Sequence, residues 1–503
     1  MMVNIEEKCE ILQHLAACVP ENAAGESEDN LLQNFLPLRS YSKLADSRTF
    51  LITGGRGAGK TELFRILTSC DGLNFVISDL DKRRYAGLKA SQFVVGYIAT
   101  GPEAKTFPVS NVCSRWVQGK RNEEVYSFWG GIVCISVLKA FSEDQQVFTI
   151  AEKCLGRKLT ELLQKHSSEL SKWWEEVYLR EEAYETFLNE LDNLLDKRNL
   201  QVFLTYDELD KICGNYGDLF IFIRNLLNFW FVHNNRFSNL KAKIFLRSDL
   251  YDSKALQFVD SSKMRSYRLE LKWDTISLYR MLIKRLVNVG SEITFKYLDS
   301  IPGLLQINTN ELGYLPGDSE EAVHLFIEKI IGKYMGKTAK RGKSYLWVPN
   351  HIQDANGELA PRPFLKCFSF AADEMLKHAD EINGLTEDRL LSPTRLQGAL
   401  AKVSKDRVDE LTSEEYHWLQ NLIDRLNGKT MLMDKNEFLS YLQPELWPTE
   451  KRNELPGRNA EEIMEVLLTL GIVMEAPDHR INVPEIYLYG FGLKRKGGIK
   501  RPN

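Results

Sequence analysis

Residues 49–67 read TFLITGGRGAGKTELFRIL. Thr49 to Thr53 is expected to be a short buried strand, and the residues after Lys60 carry helical spacing. Between them stands Gly54-x-x-x-x-Gly59-Lys60-Thr61. Glycines at this spacing let successive backbone N–H groups turn inward to one anion, and the helix that follows adds the positive end of its dipole. In such a loop Lys60 reaches the outer phosphates of a nucleoside triphosphate and Thr61 offers its hydroxyl to Mg2+. The candidate phosphate-binding set is Gly54, Gly55, Arg56, Gly57, Ala58, Gly59, Lys60, Thr61 and Glu62. The loop reads G-x-G-x-G rather than G-x-G-x-x-G, which disfavours a dinucleotide fold.

A phosphate loop needs a second strand that carries a carboxylate to the metal. QVFLTYDELD at 201–210 supplies one, with Asp207 and Glu208 at the C-terminal end of a mostly apolar strand. Asp207 is placed to hold Mg2+ through water, and Glu208 to orient and deprotonate the attacking water. The plainer alternative is that the Asp-Glu pair caps the next helix. Further on, KAKIFLRSDLY at 241–251 reads as another buried strand ending in polar residues. Arg247, Ser248 and Asp249 fall where a γ-phosphate sensor would lie, with a structural salt bridge as the alternative. A helix-like stretch, Ser253–Met264, and a strand, YRLELKW at 267–273, follow, with Arg265 at their junction.

This series of motifs resembles the AAA+ and STAND-like branch of P-loop ATPases. More narrowly, LITGGRGAGKT, VFLTYDELD, IFLRSDLY, LELKWDTISLYRMLIKRL and INVPEIYLYGFGLKRKGG are similar to segments of bacterial P-loop ATPases linked to antiphage defence. The resemblance implies ATP and Mg2+ as ligands, a homo-oligomer, and an effector protein as partner. It also implies that an arginine finger ends the helix after the sensor strand, which here is Arg265, with Lys263 as a competitor. Arg362, in Pro361-Arg362-Pro363, corresponds to a second sensor arginine that reports nucleotide state from a helical lid. Two rival readings are a DNA-binding origin-recognition-like ATPase or remodelling motor, and a scaffold that binds ATP without hydrolysing it.

The elements that must position these residues are read as follows. Residues 1–35 form an N-terminal helical segment. Residues 36–272 form an α/β P-loop core with a mostly parallel sheet, interrupted by a helical insertion at about 100–198. The insertion is expected because Lys60 and Asp207 lie further apart in sequence than a plain core requires, and residues 122–198 are strongly helical in pattern. Residues 273–405 are expected as a helical lid, with WVPNHIQDANGELAPRP at 347–363 as a connector. Residues 406–503 read as a winged helix, with helices at 413–426, 434–442 and 459–473 and a hairpin at 473–483. The third helix opens on Glu461 and Glu462, which phosphates would repel. The basic tail KRKGGIKRPN at 494–503 is the better candidate for nucleic-acid contact.

Composition closes off other classes. The chain has 503 residues, 44% hydrophobic and 27% charged, so it has material for several domains and is not disordered throughout. A formal net charge of −4 argues against a global polycation. The eight cysteines form no C-x-x-C pair, which argues against a zinc ribbon or a thioredoxin motif. Dispersed thiols, no basic leader at the N-terminus and no long uncharged apolar run make a cytoplasmic protein without a membrane span the expectation.

Overall fold

The computed structural model describes residues 3–19, 27–68, 72–77, 89–252, 256, 261–309, 311–386 and 388–495. Two compact units emerge: Pro37–Leu271, and Lys272–Asn503 together with Met1–Glu21 and Ser27–Leu36.

The first unit is built on a five-stranded sheet of order β2-β3-β4-β1-β5. Its strands are β1 (Leu51–Gly54), β2 (Ala90–Tyr97), β3 (Leu200–Tyr206), β4 (Leu240–Arg247) and β5 (Arg268–Glu270). Every pairing is parallel, which makes this an α/β P-loop core. Parallel strands buried on both faces read as continuous apolar runs. Accordingly β1 is buried at all four positions, and β4 at all but its last, Arg247. In β1 the pairing sets Gly54 opposite Arg247, so the loop and the polar end of β4 leave the sheet side by side.

The helices Asn122–Ala140, Gln145–Leu155, Arg157–Lys165, Leu170–Leu179 and Glu181–Lys197 fill the long stretch between β2 and β3. The first of them is apolar on all sides and buried from Ser127 through Leu138. Its Trp129 donates to the Phe222 carbonyl at 2.9 Å, and Ser136 donates to Gly96 on β2 at 3.3 Å. This helix is therefore part of the sheet's own packing rather than a projecting arm. Gly130 and Gly131 make the packing feasible: a Cβ at Gly131 would stand 2.4 Å from the Trp173 ring, and one at Gly130 would stand 2.7 Å from the Tyr184 ring. Trp173 is fully buried, while its neighbour Trp174 is half-buried against Trp116 and under Lys120.

The second unit departs from the sequence reading in three places. A β-hairpin, β6 (Leu305–Thr309) with β7 (Gly313–Pro316), interrupts the stretch expected to be helical throughout. The Asn288 side-chain amide acts as a surrogate strand for it, accepting from Tyr314 N–H at 2.8 Å and donating to the Tyr314 carbonyl at 3.0 Å. Residues expected as a connector are helical in Ser344–Ile352, leaving 353–360 as the loop. The single helix expected at 413–426 is broken into Leu411–Glu415, His417–Leu419 and Gln420–Leu426. There His417 Nδ1 meets the Thr412 carbonyl at 2.8 Å, and the break lets Trp418 bury against Trp447.

The helices Lys435–Ser440 and Ala460–Thr469 follow, the latter capped by Asn459. A short hairpin of Met474–Glu475 with Ile481–Asn482 comes next. Of the basic tail only Lys494 and Arg495 are described, and Arg495 pairs with Glu485 at 3.1 Å. Lys496, Lys500 and Arg501 lie outside the described residues. No helix among the described residues is long and apolar enough to cross a membrane.

Two lysines on one face of β4 anchor the lower end of the sheet. Lys241 Nζ donates to the carbonyls of Asn234 and Phe237, tying down the end of the helix Tyr216–Arg236. Lys243 Nζ, wholly buried, donates to Thr49 and Asp46 carbonyls at 2.6 and 3.1 Å, just ahead of β1. Burial pulls the Lys243 ammonium down to about 7 from an ordinary 10.5. Between those pH values the unfolded chain holds a proton that the folded chain has released, so stability rises with pH across that window. Denaturant titration at pH 7 and pH 9.5 is expected to show this rise in the wild type and a smaller one in Lys243→Met.

Candidate nucleotide-binding site

The C-terminal ends of β1, β3 and β4 converge on one locality, where parallel α/β sheets place their ligands. The loop after β1 is a tight turn, with Gly57 at φ 74° and Gly59 at φ 92°, both in the left-handed region that favours glycine. Gly54 has little room: a Cβ there would lie 3.1 Å from the Cβ atoms of both Ala58 and Leu271. Ala58 is buried and its N–H donates to the Gly55 carbonyl at 3.2 Å. Gly55, Arg56, Gly57 and Glu62 stay partly exposed. The helix Lys60–Thr68 starts at the motif lysine and packs on the sheet through Leu63, Phe64, Ile66 and Leu67.

Lys60 Nζ folds back into the loop and donates to the Gly54 and Gly55 carbonyls, each at 2.9 Å. Burial lowers its proton affinity, and Asp207 opposes that shift. Asp207 itself is buried at the end of β3, with its backbone N–H bonded to Tyr97 on β2 at 3.1 Å. Its carboxylate takes a hydrogen bond from the Thr61 hydroxyl, while Oδ2 is buried with no partner among the described residues. Burial pushes this carboxyl up to about 6. A buried carboxylate oxygen with nothing to bind is costly in a finished core and is expected where a cation belongs. The buried Ser248 hydroxyl, just past the end of β4, likewise has no partner among the described residues. The lysine on the loop, the Thr61–Asp207 pair and the open carboxylate oxygen together fit a Mg2+-bound triphosphate.

Glu208 adopts left-handed backbone, φ 54°, which is unusual for glutamate. It precedes the short turn Leu209–Lys211, where its carbonyl accepts from the Lys211 N–H at 3.0 Å but its side chain makes no capping hydrogen bond. Its Oε2 instead accepts from the Thr100 N–H at 2.8 Å and the Thr100 hydroxyl at 2.7 Å, just past the end of β2. Its Oε1 pairs with Lys211 Nζ at 2.5 Å. Both carboxylate oxygens are thereby held.

Arg247 pairs with Asp249 through Nε at 3.1 Å and Nη2 at 2.8 Å, with Nη1 3.5 Å from Asp210. The sequence alternatives for Arg247, sensor or salt bridge, thus meet in one residue: it is salt-bridged at the place a sensor would occupy.

Arg265 is exposed on the turn Ser261–Tyr267 of the same unit; most of the helix expected at Ser253–Met264 lies outside the described residues. Arg362 belongs to the other unit, where it stands in the first turn of the helix Pro361–Leu376, half-exposed and 3.7 Å from Glu410.

Sequence reading missed Thr100, Lys211 and Asp210. The first lies three residues past the end of β2, and only the β2–β3 pairing brings it to the same end of the sheet as Glu208. Lys211 and Asp210 follow Glu208 so closely that only the left-handed turn at Glu208 decides where they point.

No protein-family model and no curated sequence matches the chain. Among solved structures, the Walker-type ATPase of Pyrococcus abyssi is similar over 90% of this chain and 95% of its own, with 14% identity and a TM-score of 0.37. The Aeropyrum pernix ORC2 protein, in its ADPNP and ADP complexes, is similar over 88% of this chain and 84% of its own, with 13% identity and a TM-score of 0.32. At those scores the assignment of a P-loop core rests on this chain's own strand order and loop geometry.

Proposed function

We propose that the protein is a Mg2+-dependent ATPase that uses nucleotide binding to switch conformation or assemble into a homo-oligomer. The observation that carries this reading is the orphan Asp207 Oδ2 beside the Thr61–Asp207 hydrogen bond and the inward-turned Lys60. Lys60 holds backbone carbonyls that a triphosphate would replace as its partners, so its charge is already stored at the phosphate position. Asp207 and Thr61 are the residues that would hold Mg2+, whose bound charge offsets that of the β- and γ-phosphate oxygens. Glu208 is the general base for water, acting by accepting its proton.

Glu208 is latched on Thr100 and Lys211, which engages both of its carboxylate oxygens. Turnover requires that latch to open. Such a latch keeps hydrolysis slow until something moves the Thr100 or Lys211 segment, which suits a regulator better than a metabolic enzyme. Exposed Arg265 is the residue we assign as a finger toward a neighbouring copy, and Arg362 as a reporter from the second unit. The sequence resemblance to defence-linked ATPases supports a sensor or regulatory role in bacterial antiphage defence, with an effector protein as partner. The acidic start of the helix Ala460–Thr469 favours a protein rather than a nucleic-acid partner for the winged-helix-like segment.

Glu208→Gln is expected to retain ATP binding, lose hydrolysis by about two orders of magnitude or more, and gain mass in light scattering with Mg·ATP. Retained hydrolysis would remove Glu208 as the base. Thr100→Val deletes one hydrogen bond to a charged group, about 1.5 kcal/mol, and is expected to raise basal turnover by up to about tenfold. A fall in turnover with unchanged ATP affinity would show that Thr100 aligns the base rather than restrains it.

A further inference from the structure

Arg247 is the last residue of β4 and lies in register with Gly54, where the phosphate loop begins. Its side chain is mostly enclosed, with 11% of its surface exposed, so its partners are fixed by the surroundings rather than by solvent. Among the described residues two carboxylates face it, and they differ in kind. Asp249 grips the Nε and Nη2 side as a two-point fork, at 3.1 and 2.8 Å. Asp210 meets the Nη1 side from the loop after Glu208, at a loose 3.5 Å. A paired fork fixes the plane and direction of a guanidinium, whereas a single long contact fixes neither. All three charged groups act on Lys60, the two carboxylates stabilising its ammonium and Arg247 opposing it. The cluster is therefore electrostatically part of the phosphate site.

We infer that Asp249 is a positioning residue that aims Arg247 at the terminal phosphate, and that Asp210 is the carboxylate which that phosphate displaces from the Nη1 side. This rests on the nucleotide reading above and deepens it, because it assigns discrimination of triphosphate from diphosphate to a three-residue relay. With a diphosphate, Arg247 keeps Asp210 and the loop after Glu208 stays tied to β4. With a triphosphate, the guanidinium turns its Nη1 side to the added charge while Asp249 holds the other side. Asp210 is then released. Asp210 lies beside Lys211, which latches Glu208, so its release loosens the same short turn that holds the base. Discrimination and activation are thereby coupled through residues 207–211.

The test is calorimetric titration of the full chain with Mg·ATP and Mg·ADP. The wild type is expected to prefer ATP by about tenfold or more. Asp249→Asn is expected to abolish that preference while keeping ADP affinity, which shows that the site remains folded. In an Arg247→Ala background the same substitution is expected to shift ATP and ADP affinity alike, because its remaining effect, on Lys60, does not distinguish the two nucleotides. Asp210→Asn removes the competitor and is expected to tighten ATP about threefold or more with ADP unchanged; it also serves if Asp249→Asn does not fold. The inference is overturned if Asp249→Asn retains the wild-type preference, if it alters the ratio of ATP to ADP affinity without Arg247, or if Asp210→Asn weakens ATP. It is also overturned if the wild type binds both nucleotides equally. Failure of the wild type to bind either nucleotide instead overturns the nucleotide reading itself.

Discussion

The site depends on one spatial constraint, the insertion of β4 between β1 and β3. That order separates the phosphate loop from the Asp-Glu pair by two strand spacings, roughly 10 Å. The gap is wide enough for phosphates and a metal, and narrow enough for Thr61 to hydrogen-bond Asp207 across it. The intervening strand then delivers Arg247, Ser248 and Asp249 to the floor of the gap. Asp207 is buried because its strand is, and among the described residues its Oδ2 has no partner.

Charge within the gap is balanced by proxies. Lys60 rests on two carbonyls, Arg247 on two carboxylates, and Glu208 on Thr100 and Lys211. Each contact neutralises or satisfies a group that the proposed chemistry would need available. Under the proposed function, a bound nucleotide would exchange several of these contacts together.

Much of this was legible in the sequence. The loop glycines, Lys60, Thr61, Asp207 and Glu208 announce themselves by type and spacing, since phosphate binding tolerates few alternatives. The strands that carry them are short apolar runs with polar ends; β3 lies within a residue of where its pattern puts it, whereas β4 stops at Arg247 and Ser248–Tyr251, expected to continue it, form a short helix. Side-chain pairing between distant segments was not legible. Thr100 meets Glu208 across 108 positions, and only the β2–β3 pairing brings them together. The hairpin β6–β7 escaped notice because a side-chain amide, that of Asn288, supplies what a third strand would normally supply. The helix expected at 413–426 breaks because burying Trp418 overrides local helical preference.

The central claim is that Lys60 and Asp207 form one Mg2+-triphosphate site. Direct titration of ATP into the wild type and Lys60→Ala, each with Mg2+ and with chelator, tests it most directly. The account predicts binding by the wild type that weakens by about tenfold or more without Mg2+, and none by Lys60→Ala at the same concentrations. Equal binding by both proteins, or binding indifferent to Mg2+, would contradict it.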